Sequence, residues 1–236
     1  MAFVCENIRT RGFEPRYLEE HISRLDLLSC KYLLSPIKVG VEDIRALVVS
    51  ALNSGNYSPS TANAVTLQCF DNGELKVQPC EVLYNEFSLR AIRPKVDIYR
   101  VEGESILENT SAKEALLDLH RATAQIRGEG SCVPLWINGN GEVQAIDGAP
   151  VVAVFDDEVR FSIYGGGVEF NLAYKAVNAL HRKATKGAIT LDDIAHAKEL
   201  MYIDYRGITV VDSVENHLFV DIVAEKMALH IANQER

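Results

Sequence analysis

Cys5-Glu6-Asn7-Ile8-Arg9, then Gly12, then Leu18-Glu19-Glu20-His21-Ile22-Ser23-Arg24-Leu25: this opening decides how the rest of the chain is read. Ala2 to Thr10 has the apolar and β-branched content of a short strand, and Gly12 marks a turn. Pro15 is expected to open a helix over Arg16–Leu34, because its fixed φ suits a first helical turn. Leu18, Ile22, Leu25 and Tyr32 recur near helical spacing and define one apolar face. The chain therefore begins as strand, turn, helix.

Working outward, a second helix fits Val41–Asn53, with Val41, Ile44, Val48 and Leu52 inward and Gly55 as its stop. Ala64–Phe70 and Glu74–Val77 read as strands joined by Asp71-Asn72-Gly73, the strongest hairpin signal in the sequence. Phe87–Ile92 and Val96–Arg100 read as further strands, with Pro94 placed where it spares the ladder. Residues 101–110 are polar and aperiodic. This divides the chain into a small domain at 1–104, a linker at 105–110 and a larger domain at 111–236. In the larger domain Ser111 is expected to cap a helix to Arg127, ended by Gly128 and Gly130. Strands follow at Cys132–Asn138, Val143–Asp147, Val151–Phe155 and Val159–Tyr164. Gly165-Gly166-Gly167 leads into a helix to Arg182, and Thr190 with Asp193 has the form of a capping box. Strands near Leu200–Asp204 and Ile208–Val211 precede a C-terminal helix from about Phe219. Hairpins mixed with helices favour an α+β fold over a strict βαβ alternation.

Composition narrows the function. The 236 residues carry 24 Lys+Arg against 33 Asp+Glu, a formal net charge of −9, and 47% are hydrophobic. That apolar content repays the entropy of folding. An acidic chain without a cationic block lacks the electrostatic footprint of a nucleic-acid binder. No stretch approaches the roughly 18 apolar residues of a membrane span. The charged, strand-like N-terminus reads against a signal peptide, and five scattered cysteines outside any C-x-x-C pair read as reduced thiols, so a cytoplasmic setting is expected.

Three places could carry chemistry. His21 and Arg24 lie three apart on a helix, where an anchored arginine forms a fork for phosphate or carboxylate; the plainer alternative is a solvated arginine beside Glu19, Glu20 and Asp26. The Gly165–Gly167 run at a strand-to-helix junction offers backbone N–H groups and the positive end of a helix dipole to an anion, or is an ordinary tight connection. Lys113, in a first helical turn, becomes a nucleophile only if desolvated or crowded by cations; otherwise it is solvated. The six histidines show no metal spacing, and no G-x-S-x-G, P-loop or G-x-G-x-x-G occurs. No metal site is expected.

The quoted opening resembles that of the class IV aminotransferases, the pyridoxal-phosphate enzymes of fold type IV, whose first strand reads "F-E-T-I-R" and whose first helix carries "H-x-x-R-L". The order of later elements is similar across nearly the whole chain. Ala197 through Thr209 resembles the family's "A-D-E-L-F-L-T-N-x-x-G-I-x-P-V" strand. The resemblance implies a small N-terminal α/β domain, a larger barrel-like domain, pyridoxal 5'-phosphate held between them, and a homodimer acting on an amino-acid-like substrate. By the same resemblance Arg24 grips the cofactor phosphate, Gly165, Gly166, Gly167 and Val168 cradle it, and Tyr205, Ile208 and Thr209 lie at its second contact. Lys113 is the only lysine in the segment where the family has its catalytic one, although a second register puts Asn109 there.

The resemblance also brings mismatches. The glutamate that keeps the pyridine nitrogen protonated falls on Ala145, and Asp147, two residues along the strand, shares its face by alternation and could supply a displaced carboxylate. The family's "G-I-T-R" arginine falls near Glu169, and the threonine of the second phosphate contact near Tyr205. Two functions are therefore expected in competition. One is a pyridoxal-phosphate enzyme performing amino transfer or aminodeoxychorismate-type elimination. The other is a catalytically degenerate relative that keeps the fold as a binding or structural module.

Overall fold

A computed structural model describes residues 2–83, 87–101, 108–128 and 132–235. The chain divides into two compact units, Met1–Glu86 with Glu108–Ser111, and Phe87–Leu107 with Ala112–Arg236. Residues 105–107 of the expected linker, and Gly130, lie outside the described residues.

The first unit contains β1 (Phe3–Arg11), β2 (Glu14–Pro15), α1 (Leu18–Tyr32), α2 (Val41–Ser54), β3 (Ala62–Phe70) and β4 (Leu75–Leu83). Its sheet runs β2-β1-β3-β4, antiparallel throughout. Leu18, Leu25 and Leu28 of α1 and Ile44, Val48 and Leu52 of α2 join Val4, Ile8, Val65 and Leu67 of the sheet in one core. Each such side chain contributes about 1.5–3 kcal/mol by leaving water. Pro15 does not open the helix as expected. Glu14 and Pro15 pair back onto Arg11 and Thr10, and Tyr17, in the left-handed region at φ 51, turns the chain into α1. Tyr32, expected on the inward face, is 39% exposed at the end of the helix, where Leu28 and Ser29 hold the inward positions of the last turn.

The second unit contains β5 (Lys95–Arg100), α3 (Ser111–Arg127) from its second residue on, β6 (Cys132–Ile137), β7 (Val143–Ile146), β8 (Val151–Val154), β9 (Val159–Ser162), α4 (Val168–Ala179), β10 (Ala184–Gly187), α5 (Leu191–Ile194), β11 (Glu199–Asp204), β12 (Gly207–Val210), β13 (Ser213–Val214), β14 (His217–Leu218) and α6 (Ile222–Glu235). Two five-stranded sheets run β10-β9-β8-β11-β12 and β14-β13-β5-β6-β7. All four residues of β8 are buried, as a strand interior to its sheet requires. Glu199, 1% exposed, closes the N-terminus of α6: its two carboxylate oxygens accept from the N–H groups of Val223 at 2.7 Å and Ala224 at 2.9 Å. Burial pushes its carboxyl above the ordinary range despite those bonds.

The expected strand Phe87–Ile92 is instead a single parallel bridge, Leu89 to Ile208, with Phe87 buried in the second unit's core. Its reach into the ladder ends at Arg90, whose N–H bonds Ile208. Ser111 is the first residue of α3 rather than its cap. The capping box of Thr190 and Asp193 is present at α5.

Candidate functional site

In the first unit the site begins with strand alternation. Glu6 shares a face of β1 with Val4 and Ile8, which sends a carboxylate toward α1. Glu6 is 3% exposed. Its Oε2 meets His21 Nδ1 at 3.0 Å, and its Oε1 accepts from Arg24 Nε at 2.7 Å. Arg24 Nη2 donates to Glu108 at 3.2 Å. Burial alone raises the carboxyl of Glu6, but the His21 hydrogen bond and the charge of Arg24 more than offset it and hold it below the usual value. Arg24 is thus neither a solvated arginine nor an uncommitted fork: two carboxylates share it. Asn109 sits in the same cluster, its Nδ2 donating to Glu6 Oε1 at 3.4 Å while its carbonyl accepts from the N–H of Cys5.

In the second unit α4 starts at Val168 behind Gly167, whose φ of 121 no ordinary side chain tolerates, and no side chain caps the helix. A Cβ on Gly167 would meet nothing within 4 Å, so the space before these N–H groups is open on that side. Gly165 is there for packing, since a Cβ would sit 2.5 Å from the ring of Phe170. Glu169 lies in the first turn. Tyr205 and Arg206 form the turn between β11 and β12, and Ile208 and Thr209 are fully buried in β12. Thr209 Oγ1 accepts from Arg90 Nη1 at 3.4 Å. Across the ladder, burial and the neighbouring Asp147 and Asp204 push the Tyr202 phenol up to about 12.

Lys113 is buried, 6% exposed, in the first turn of α3. Its Cε lies against the Asp147-Gly148 turn, where a Cβ on Gly148 would come within 2.8 Å of it. Asp147 does not continue β7 as expected. The strand stops at Ile146, and Asp147 and Gly148 both have positive φ (49 and 72), the two central residues of a tight hairpin turn that pairs Ile146 with Ala149. The alternation argument from Ala145 therefore fails at that residue. Ala145 faces Leu117 and Trp136 in a small apolar cluster, while the Asp147 carboxylate meets Arg206 Nη2 at 3.2 Å and Arg121 Nη2 at 4.0 Å. Burial disfavours the charge of Arg206, but Asp204 and Asp147 outweigh it and raise its basicity.

The structure thus brings Lys113 and Asp147 to one turn and shows Arg24 within its own unit, held by Glu6, His21 and Glu108. Sequence reading missed Glu6, Glu108, Arg206 and Tyr202. An acid on the apolar face of an alternating strand and the Asp204-x-Arg206 turn were the available signals. Among the described residues no group of His, Cys, Asp and Glu could hold a metal ion, and no helix is long and apolar enough to cross a membrane.

This architecture is found in known structures. An assigned 4-amino-4-deoxychorismate lyase from Legionella pneumophila superposes with TM-score 0.77 at 13% identity, over 99% of this chain and 91% of that one. A fold IV transaminase from Curtobacterium pusillum gives 0.77 at 16% identity, over 99% and 85%. A hypothetical aminotransferase from Mycobacterium tuberculosis in its pyridoxal-phosphate-bound form gives 0.74 at 14% identity, over 98% and 89%. The chain has the α+β fold of the fold type IV pyridoxal-phosphate enzymes, the class that includes the class IV aminotransferases and aminodeoxychorismate lyase. No family model and no curated protein matches the sequence itself.

Proposed function

We propose that this chain binds pyridoxal 5'-phosphate and works as a class IV aminotransferase or aminodeoxychorismate-type lyase on an amino-acid-like substrate. Lys113 carries the reading: a primary amine buried in its unit, with Gly148 leaving it room. The donor set of the second unit suits the cofactor in two respects, an amine for its aldehyde and an uncapped, glycine-preceded helix start for its phosphate. When bound, the cofactor supplies an electron sink for negative charge at a substrate α-carbon. Lys113 would hold the cofactor and then move a proton at that carbon. Gly165, Gly166, Gly167 and Val168 would bind the phosphate, with Tyr205, Ile208 and Thr209 beside it. Glu169 works against an anion there, and Arg24 joins the phosphate contacts only on the family resemblance, since Glu6 and Glu108 already occupy it. The M. tuberculosis neighbour's bound cofactor supports this assignment. A homodimer and a cytoplasmic setting complete the reading, the latter in keeping with five cysteines scattered outside any C-x-x-C pair.

The test is an absorption titration with pyridoxal phosphate, then borohydride reduction and peptide mapping. A new near-ultraviolet or visible band and a reduced adduct on the Lys113 peptide are expected. An adduct on another lysine, or none, would remove Lys113 from the assignment.

A second reading, a non-catalytic binding or structural module, is favoured by Ala145 standing among apolar side chains where the family has its glutamate. Asp147 no longer shares the face of Ala145, but its turn lies against Lys113, and asparagine tolerates its left-handed backbone. In an active enzyme Asp147→Asn is expected to leave folding and cofactor content near wild type while lowering turnover severely. A wild type without turnover on amino donors or aminodeoxychorismate would favour the second reading.

A further inference from the structure

We infer, resting on the phosphate site proposed above, that Tyr164 is a positioning residue: its hydroxyl fixes the strand end from which Gly165–Gly167 leads into α4. Three consecutive glycines have more backbone freedom than any other tripeptide. An anion bound by such a run has to order it first, and that ordering costs affinity. A cradle shaped in advance needs an anchor at each end. On the helix side the anchor is Phe170, which is 1% exposed and packs edge-on against Phe161 with ring centroids 5.1 Å apart. Gly165 lies against the same Phe170 ring.

On the strand side the anchor comes from the turn between β6 and β7, in the same unit. Asn138 shapes that turn: its Oδ1 accepts from the N–H groups of Asn140 at 2.9 Å and Glu142 at 3.0 Å. Its Nδ2 donates to Glu142 Oε2 at 2.7 Å and to the Tyr164 oxygen at 3.1 Å. The Tyr164 hydroxyl donates to the same Glu142 oxygen at 2.5 Å. Amide, carboxylate and phenol close a triangle of hydrogen bonds between this turn and the residue just before Gly165. A hydroxyl donating to an ionised carboxylate makes one of the stronger protein hydrogen bonds. Here it holds the Glu142 carboxyl below its ordinary range and the Tyr164 phenol above its own. Ser162, 1% exposed, adds a second tie. Its Oγ accepts from the Tyr164 N–H at 3.2 Å and donates to the Val143 carbonyl at 3.4 Å, while its carbonyl accepts from the Gly165 N–H at 2.9 Å. The junction is thus tied to β7 and its turn as far as Gly165, and to the core from Phe170 on.

Absorption titrations of the full chain with pyridoxal 5'-phosphate and with pyridoxal, joined to amide exchange of the ligand-free protein, test this. Tyr164→Phe removes the hydroxyl and keeps the ring. It is expected to weaken pyridoxal phosphate about fivefold, the scale of one hydrogen bond of ordinary net strength, and to leave pyridoxal, which has no phosphate, within about twofold. The Gly165 amide should exchange faster in the same variant. Glu142→Gln keeps an oxygen acceptor for the phenol, so it should bind pyridoxal phosphate no more weakly than wild type and keep the slow Gly165 exchange. Equal losses for the two ligands would make Tyr164 a general structural residue and overturn the inference. Unchanged affinity for pyridoxal phosphate in Tyr164→Phe, or unchanged Gly165 exchange, overturns it as well, and these outcomes leave the proposed function standing. A wild type that binds no pyridoxal phosphate removes the proposed function and the inference together.

Discussion

Replacing Arg24 with alanine is expected to destabilise the protein toward the lower end of the roughly 3–5 kcal/mol that follows from removing one partner of a buried ion pair. The reason lies in Glu6, whose side chain is 4% exposed, against 22% for Arg24. Water can reclaim part of the arginine's place, which sets the estimate low, but it cannot fully rehydrate the glutamate. His21 remains as a second partner at 3.0 Å. Urea unfolding followed by far-ultraviolet circular dichroism would read the loss. Glu6→Gln combined with Arg24→Ala should recover much of it, because the uncompensated charge is then gone. The pH dependence has a definite sign. Glu6 titrates below its ordinary value of 4.5 in the folded protein, so the stability it contributes is present above that value and is lost as pH falls through the depressed one. Arg24 is one cause of the depression. The gap between wild type and Arg24→Ala should therefore narrow as pH falls below about 4.5. A constant gap, or no loss of stability at neutral pH, would leave Arg24 without the structural role its hydrogen bonds give it.

The same residues show what the chain discloses before it is folded. Periodicity is strong in α2, where Ile44, Val48 and Leu52 are all fully buried, and at Asp71-Asn72-Gly73, where Gly73 takes φ 81. These signals are local, so they survive without tertiary context. Pro15 misled because a two-residue strand, set only by pairing with Thr10 and Arg11, took precedence over its suitability for a helix start. β10, β13 and β14 are two to four residues long and exist through their neighbours' hydrogen bonds, so no pattern of their own announces them. At the candidate site, residue types were legible and partners were not. Arg24 could be singled out, but Glu6 reaches it across 18 positions and Glu108 across 84. Asp147 carried its own warning, since Asp-Gly is a hairpin-turn dipeptide. The turn that Gly148 announces begins one residue earlier than strand alternation from Ala145 suggests.

Alanine at Gly207 is expected to cost about 3–5 kcal/mol, combining backbone strain with overpacking. Gly207 has φ +124, and a Cβ there would lie 2.2 Å from the carbonyl oxygen of Ser88. That oxygen cannot simply move aside. It accepts from the N–H of Ile208 at 3.0 Å, and two residues on the N–H of Arg90 donates to the Ile208 carbonyl at 2.8 Å. Relieving the overlap would therefore break the pairing that holds residues 88–90 to β12, along with the contact between Arg90 and Thr209. Gly167 provides the matched comparison. Its φ is +121, yet a Cβ would meet nothing within 4 Å, so Gly167→Ala bears the backbone strain alone, about 1–3 kcal/mol. Urea unfolding read through Trp136, the only tryptophan and 4% exposed, reports on the unit that holds both glycines. The expected order is wild type, then Gly167→Ala, then Gly207→Ala with clearly the largest loss. Equal losses would mean that Ser88 yields without cost and that strain at φ near 120° is the whole effect.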